Sequence, residues 1–172
     1  MAQLWFDEPV PAPAQPHGTE PADTFQQKAE PYSPWATTEY VVLDGADRPE
    51  LAIQPNTLNA PFPATRSGSL KVNFLVGAAD GIDYDEFFGH WLTVHVPNVR
   101  AVMEQVGGLR YVVSHRLQPE GAPFAGLAEL YFADEAAFKR FRATIQPDGM
   151  ERFTETGRTL VLRSTTEMIG IP

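Results

Sequence analysis

The sequence has no cysteine among its 172 residues. Disulfide bonds, thiolate nucleophiles and zinc–thiolate sites are therefore excluded, and the composition fits a reducing compartment. Long hydrophobic runs are also missing, since no apolar stretch reaches the roughly 18 residues that a membrane helix needs. The first residues lack the basic start and apolar core of a signal peptide. We therefore expect a soluble, cytoplasmic protein.

Positive charge is scarce as well. The chain has 13 Lys and Arg against 22 Asp and Glu, which gives a net charge of -9 and an isoelectric point near 4.8. A partner such as nucleic acid or an anionic membrane requires a clustered basic face to neutralise its phosphates. The sequence contains no such cluster, so we expect neither partner.

Proline is rare only in the second part of the chain, because the first 63 residues hold 11 of the 16 prolines. Proline removes an amide donor and disrupts helix interiors. We therefore expect residues 1–67 to form an arm with little regular structure and residues 68–172 to form the folded domain. Within the arm, an apolar run before Asp44-Gly45 and a second one at 51–53 allow a short hairpin over 38–53.

The arm is rich in aromatic residues for a segment with so much proline. A disordered leader is one interpretation. The other is an arm that wraps over the domain or its dimer mate, since aromatic side chains contribute most when they are buried. The aromatic residues of the arm are Trp5, Phe6, Phe25, Tyr32, Trp35, Tyr40 and Phe62.

The domain shows alternating strand patterns and two helical patterns. Asp83 or Asp85 can cap the first helix, Pro97 can kink or interrupt it, and Gly107-Gly108 ends it. The predicted elements are a strand at 70–77, a helix ending near 106, strands at 109–117 and 124–132, a helix at 134–145 and a strand at 158–168. This β-α-β-β-α-β order predicts an α+β, ferredoxin-like domain.

Two helices cover only one face of such a four-stranded sheet. The other face must be polar or find a partner, and its predicted residues are of mixed character. Such a face suits two sheets that close against each other across a two-fold axis, with room inside for a small ligand. We therefore expect a homodimer that forms a dimeric α/β barrel and binds a small apolar organic ligand.

The segment from Gly81 to Pro97, GIDYDEFFGHWLTVHVP, resembles the EthD family of dimeric α/β-barrel proteins. The matching features are Lys71 at the start of the first strand, the Phe87-x-x-His-Trp-x-x-x-His-x-Pro run, and the later strand 126–134. The resemblance covers residues 70–172. It implies a homodimer with a shared barrel and, for most members and relatives, chemistry without a metal or organic cofactor. Those members include ether-degradation proteins, lactone isomerases, and polyketide decarboxylases and cyclases.

His95 is the first candidate for chemistry, because an imidazole with a pKa near 6.5 can take or give a proton at neutral pH. On an α-helix Trp91 and His95 share a face, whereas His90 and His95 differ by about 140° around the axis. Only one of the two histidines is therefore expected to point at a common pocket. The alternative for His95 is a packed, hydrogen-bonded core residue.

Strand alternation adds further candidates. Tyr111 and His115 share one face of the second strand, and Arg110, Ser114 and Arg116 share the other, but the sequence does not say which set lines the barrel. We assign catalysis to His95, His115, Tyr111 and Tyr131. We assign substrate binding to Trp91, Asn73, Glu129, His90 and Phe87.

These residues predict a cofactor-independent lyase, isomerase or cyclase that transfers protons on a small apolar carbonyl, lactone or polyketide-like compound. A metal site is not expected, because histidines five apart do not share an α-helix face. A serine-nucleophile site is not expected either, because no Gly-x-Ser-x-Gly sequence occurs. Two alternatives remain open. One is a non-catalytic ligand-binding or accessory protein, and the other is a haem-binding or oxygenase role with His95 as axial ligand.

Overall fold

The computed structural model describes residue 3, residues 35–51 and residues 69–165. Within these ranges five strands form one sheet whose neighbours all run antiparallel, in the spatial order β1-β3-β4-β2-β5. The strands are β1 (Thr37–Leu43), β2 (Leu70–Val76), β3 (Arg110–Arg116), β4 (Gly126–Phe132) and β5 (Leu160–Ser164).

The helices follow the predicted positions closely. Helix α1 (Tyr84–His90), a π-helical segment (Trp91–His95) and α2 (Val96–Val106) follow one another without a break, and α3 is Glu135–Thr144. Short 3-10 turns lie at Pro49–Leu51, Met150–Arg152 and Thr156–Arg158. In the part of the chain that is described, no helix has the length and apolar character to span a membrane.

Side-chain caps explain where the helices begin. Asp83 caps α1 by accepting hydrogen bonds from the backbone N–H of Asp85 and Glu86. Asp134 caps α3 through the N–H of Ala137 at 2.7 Å. Gly107 ends α2 at a φ of 77°, a left-handed conformation that glycine adopts without a Cβ clash. These caps agree with the signals in the sequence.

The order β2-α-β3-β4-α3-β5, with β2 and β4 in the centre, is that of a ferredoxin-like α+β domain. This confirms the predicted fold class. The strands are slightly shorter than predicted, because each ends where its ladder of hydrogen bonds ends. Residues 166–168 of the last predicted strand lie outside the described residues.

Strand β1 comes from the arm and lengthens the sheet. It pairs with β3, with Thr38 opposite His115 and Tyr40 opposite Val113. Its pairing with the domain means that residues 37–43 belong to the same sheet as residues 70–164. The predicted hairpin places its second strand at 51–53. Leu51 ends a 3-10 turn instead of beginning a strand. Residues 52–53 lie outside the described residues.

The core lies between the helices and one face of the sheet, which we call the helix side. Strand alternation sends every second residue there, so that β2 contributes Val72 and Val76 and β3 contributes Tyr111 and Val113. Phe87, Trp91 and Met103 of the helices pack against them, each at most 1% exposed. The opposite surface of the sheet, which we call the open side, bears Lys71, Asn73, Ser114, Glu129 and Tyr131.

Candidate functional site

The π-helical segment is the unusual feature of the first helix. The N–H of Val96 bonds to the carbonyl of Trp91, five residues earlier, where an α-helix would use the residue four earlier. Pro97 follows at once. Proline has no N–H, and its ring clashes with the carbonyl four residues before it in a regular α-helix. A wider turn accommodates the proline without breaking the helix, and single π-turns of this kind are frequent at functional sites.

The wide turn changes how the two helix histidines are related. Residues five apart, which diverge on an α-helix, come onto nearly the same face when hydrogen bonds run from i to i+5. The His95 imidazole reaches Asp148, and the His90 ring lies 5.2 Å from that of Phe153 and against Gly149. Both histidines therefore contact the loop at 148–153, although an α-helix would turn them about 140° apart; the expectation that only one of them points at a common pocket stays a prediction.

His95 and Asp148 form a hydrogen-bonded pair. Nδ1 of His95 lies 2.8 Å from Oδ2 of Asp148, and the two side chains are 25% and 10% exposed. The same Asp148 oxygen accepts a bond from Asn98 Nδ2 at 2.7 Å, and the other accepts the N–H of Met150 at 3.1 Å. The carboxylate is thus fixed from three directions and in turn fixes the orientation of the imidazole.

The electrostatics of Asp148 favour its charged form. Burial alone would raise the pKa of this carboxyl. The hydrogen bond from Asn98, the charge of His95 and the hydrogen bonds from His95 and Met150 outweigh burial and hold the pKa below its ordinary value. Asp148 therefore remains an ionised acceptor at neutral pH. The sequence does not point to Asp148, because Gln146-Pro-Asp-Gly149 has the pattern of a turn that ends a helix.

A cluster of buried polar atoms without hydrogen-bond partners lies between the π-helical segment and β3. It consists of Trp91 Nε1, the Tyr111 hydroxyl and His115 Nε2. His115 stacks on Phe88 with ring centroids 4.2 Å apart, and the Trp91 ring is 4.9 Å from it. Buried polar atoms almost always have a partner in protein or ordered water. Three such atoms at one place therefore indicate a site for water or for a polar group of a ligand.

Burial sets the protonation of this cluster. It raises the pKa of Tyr111, and the charge of Asp148 acts in the same direction. The Trp91 indole opposes this rise in part, although neither polar atom makes a hydrogen bond of normal geometry. Burial lowers the pKa of His115 to about 4. At neutral pH Tyr111 is thus a protonated hydroxyl and His115 a neutral imidazole.

The open side of the sheet carries a second polar group of residues. Lys71 Nζ lies 2.6 Å from Glu129 Oε1, with the side chains 10% and 4% exposed. Burial alone would lower the pKa of Lys71, but the charge and hydrogen bond of Glu129, assisted by Tyr131, raise it. The Lys71 ammonium also lies 5.1 Å from the centre of the Tyr131 ring. Asn73 is 6% exposed, and its Oδ1 has no hydrogen-bond partner.

The predicted site residues therefore do not form one pocket, because strand alternation places them on opposite sides of the sheet. The helix side brings together Trp91, Tyr111, His115, Phe87 and the two helix histidines, His90 and His95. The open side holds Asn73, Glu129 and Tyr131. On β3, Tyr111 and His115 face the helices, whereas Arg110 and Ser114 face the open side. Which set lines the barrel stays a prediction.

The described surface also has a cleft that none of the candidate site residues lines. This cleft of about 580 Å³ is lined by the loops 78–84 and 120–123 together with Arg158. In this cleft the guanidinium of Arg158 donates two hydrogen bonds, of 2.6 and 3.0 Å, to the carboxylate of Asp80. Among the described residues, no group of three or more His, Asp or Glu side chains is arranged to hold a metal ion.

Comparison with known proteins supports the resemblance seen in the sequence. Residues 79–157 match the EthD domain. A solved structure from Bacteroides fragilis, described as a dimeric protein of unknown function with a ferredoxin-like fold, aligns at 14% identity and a TM-score of 0.46. The alignment covers 59% of this chain and 99% of that one. No curated protein matches the chain.

Proposed function

We propose, on the premise that residues 79–157 form an EthD domain, that the protein catalyses proton transfer on a small, largely apolar carbonyl or lactone compound. The reaction would be an isomerisation, cyclisation or related elimination that needs no cofactor. The observation that carries this proposal is the His95–Asp148 pair, with its 2.8 Å contact between Nδ1 and Oδ2.

The pair provides a general acid and base. An imidazole whose Nδ1 is held by a carboxylate keeps one tautomer and presents Nε2 to the substrate, and the carboxylate stabilises the imidazolium that forms. No hydrogen-bond partner for Nε2 of His95 is recorded among the described residues. This nitrogen can therefore remove a proton from carbon next to a carbonyl and return it at another position.

The cluster beside β3 would receive the oxygen that becomes negative when the proton leaves. Trp91 supplies an indole N–H and Tyr111 a protonated hydroxyl, and both are buried and unpartnered. Donors fixed in a dry environment stabilise an enolate oxygen strongly. The pair and the cluster are joined by the π-helical segment, to which both His95 and Trp91 belong. The rings of Phe87 and Phe88 would contact the apolar part of the substrate.

The test is exchange of carbon-bound hydrogen for deuterium in D2O, followed by NMR on a panel of lactones and 1,3-dicarbonyl compounds. We expect His95→Ala to slow exchange by about 10²- to 10⁴-fold, the usual contribution of general acid–base catalysis. Asp148→Asn should act in the same direction. Gln105→Ala is the control, because it changes an exposed residue on α2 that contacts neither His95 nor Asp148 in the described hydrogen bonds. Exchange at the wild-type rate in His95→Ala would exclude the assignment.

A non-catalytic ligand-binding role is the second candidate. It is favoured by His115, whose low pKa keeps it neutral and therefore suited to accept or donate a hydrogen bond without transferring a proton. A binder would lose ligand affinity in Tyr111→Phe while showing no exchange activity in any variant. The haem alternative remains a prediction, and absorbance of the purified protein near the Soret band tests it.

The homodimer is also part of the proposal. On the open side, Leu160 and Leu162 of β5 are 46% and 37% exposed. They lie opposite Leu75 and Asn73 of β2, so the same surface has apolar and polar parts. A second copy would cover these leucines. We expect a dimer in sedimentation equilibrium and a monomer for Leu162→Glu, while Val161→Glu, which changes the helix side of the same strand, should remain dimeric.

A further inference from the structure

The open side of the sheet already holds a ligand-like group from the chain itself. The Gln3 carboxamide lies between Lys71 and Glu129, although it is 68 and 126 residues away from them in sequence. Its Nε2 donates to Glu129 Oε2 at 2.8 Å, and its Oε1 accepts from Lys71 Nζ at 3.2 Å. Both ends of the amide are thus matched to a group of the right kind.

The charges of this site select a carboxamide over the other small polar groups. A carboxylate in place of the amide would approach the Glu129 carboxylate, and an ammonium would approach Lys71, and each like-charge contact is costly where water is largely excluded. A hydroxyl would have to donate and accept through a single oxygen, whereas the carboxamide contacts the two charged groups through two separate atoms. A neutral group with a donor and an acceptor side by side satisfies both.

Two buried polar atoms beside the ion pair have no hydrogen-bond partner. Asn73, directly opposite Glu129 in the strand ladder, has a buried Oδ1 without a hydrogen-bond partner. Arg110, opposite Tyr131, has a buried Nε in the same condition, and its guanidinium lies 5.9 Å from the Tyr131 ring. One acceptor and one donor therefore remain available beside the amide.

We propose that the open side carries a carboxamide-binding site whose resident occupant is Gln3 of the chain's own N-terminal segment. The site is independent of the His95–Asp148 pair, because it lies on the other side of the sheet. Docking of Gln3 restricts access to Lys71 and Glu129. In a dimer that pairs its open sides, Gln3 would lie between the two sheets.

Lysine acylation followed by peptide mass spectrometry tests the proposal in the full chain. The protein has three lysines, Lys28, Lys71 and Lys139, and the exposed Lys139 on α3 serves as internal standard. Acylation of a buried lysine depends on local opening. We expect Gln3→Ala to raise the rate at Lys71 relative to Lys139 by about 10-fold, since it removes hydrogen bonds to charged groups.

Two further variants make the result specific. Gln3→Glu should raise the Lys71 rate more than Gln3→Ala, because the new carboxylate faces Glu129. Gln105→Ala changes an exposed glutamine on α2 and should leave the rate unchanged. Wild-type rates at Lys71 in both Gln3 variants would overturn the proposal.

A synthetic peptide distinguishes a binding site from a loss of folding. The peptide MAQLWFDE, with the sequence of residues 1–8, is added to the Gln3→Ala protein, in parallel with the same peptide carrying alanine at its third position. We expect only the glutamine peptide to slow acylation of Lys71. Equal effects of the two peptides would mean that no site selective for a carboxamide exists.

Discussion

The two sides of the sheet handle buried polar groups in different ways. On the helix side, Trp91, Tyr111 and His115 each hold a polar atom without a partner, surrounded by aromatic rings. On the open side, Lys71 and Glu129 are buried to a similar degree but neutralise each other and share the Gln3 amide. One strand, β4, contributes to both environments through alternate residues.

The difference lies between a satisfied ion pair, Lys71–Glu129, and a cluster of helix-side atoms that lack partners; Asn73 Oδ1 and Arg110 Nε, beside the pair on the open side, share that lack. An unpartnered buried polar atom costs free energy in the folded protein, so a site that holds several of them gains when a ligand supplies their partners. The two charges of an ion pair already neutralise each other. The folded protein therefore loses stability when one of the two charged side chains is removed. Removing a polar group should therefore have opposite effects on the two sides.

The largest effect is expected on the open side. Lys71→Met removes the counter-charge of Glu129, which is 3% exposed, and should lower the free energy of unfolding by about 3–5 kcal/mol. Urea denaturation measures this change. The double variant Lys71→Met/Glu129→Leu is the control, because replacing both charges by apolar groups should recover most of the loss. A loss below about 1 kcal/mol in the single variant would contradict a buried pair.

A smaller effect is expected when His115 titrates. Its pKa in the folded protein, about 4, lies below its ordinary value of 6.5, so the unfolded chain binds the proton more readily between these values. Stability should be complete above pH 6.5 and fall as the pH decreases towards 4, by roughly 1–2 kcal/mol after allowance for solvent screening.

The control for this titration is His115→Gln, which keeps a neutral polar side chain but carries no titratable proton. Thermal unfolding at pH 7 and pH 4.5 should show a smaller difference for the variant than for the wild type. Equal differences would assign the acid sensitivity between pH 7 and pH 4.5 to other groups. The loss of stability from Asp148 begins lower, below the ordinary carboxyl value of 3.8.

The smallest effect is expected for Tyr111→Phe. The change removes a buried hydroxyl that has no hydrogen bond, so the variant should be as stable as the wild type or more stable by up to about 1 kcal/mol. Urea denaturation of the unliganded protein measures it. A clear destabilisation would show that the hydroxyl has a partner, and the contrast between the two sides would then fail.

Most of the fold follows from local signals. Alternation in β2 and β3, the caps at Asp83 and Asp134, and the end of α2 at Gly107 all depend on neighbouring residues, so a single sequence contains them. The partner of β1 could not be predicted in the same way. Its pairing with β3 joins residues 68 to 79 positions apart, from Leu43 with Tyr111 to Thr37 with Arg116, and nothing in the local pattern of 37–43 selects one sheet edge over another.

The site was predictable only residue by residue. His95, Tyr111 and His115 were identified, because their chemistry and their place in a motif are visible in the sequence. Asp148 was not, since its contact with His95 depends on how the loop after α3 returns towards the first helix. A Pro-Asp-Gly sequence indicates a turn. Nothing in that pattern indicates that the aspartate also pairs with a histidine.

The π-helical segment inserts one residue into the helix, and this insertion determines which residues after it face the core. An α-helix advances by about 100° per residue, and one additional residue explains why Phe87 before the segment and Val99 after it both face the core. A chain that lacked one of residues 92–94 would keep the same buried stripe, and His90 and His95, then four apart, would still share a helix face. The wide turn therefore lets the helix hold one more residue before Pro97 while both the core and the approach of the two histidines to the loop at 148–153 are kept.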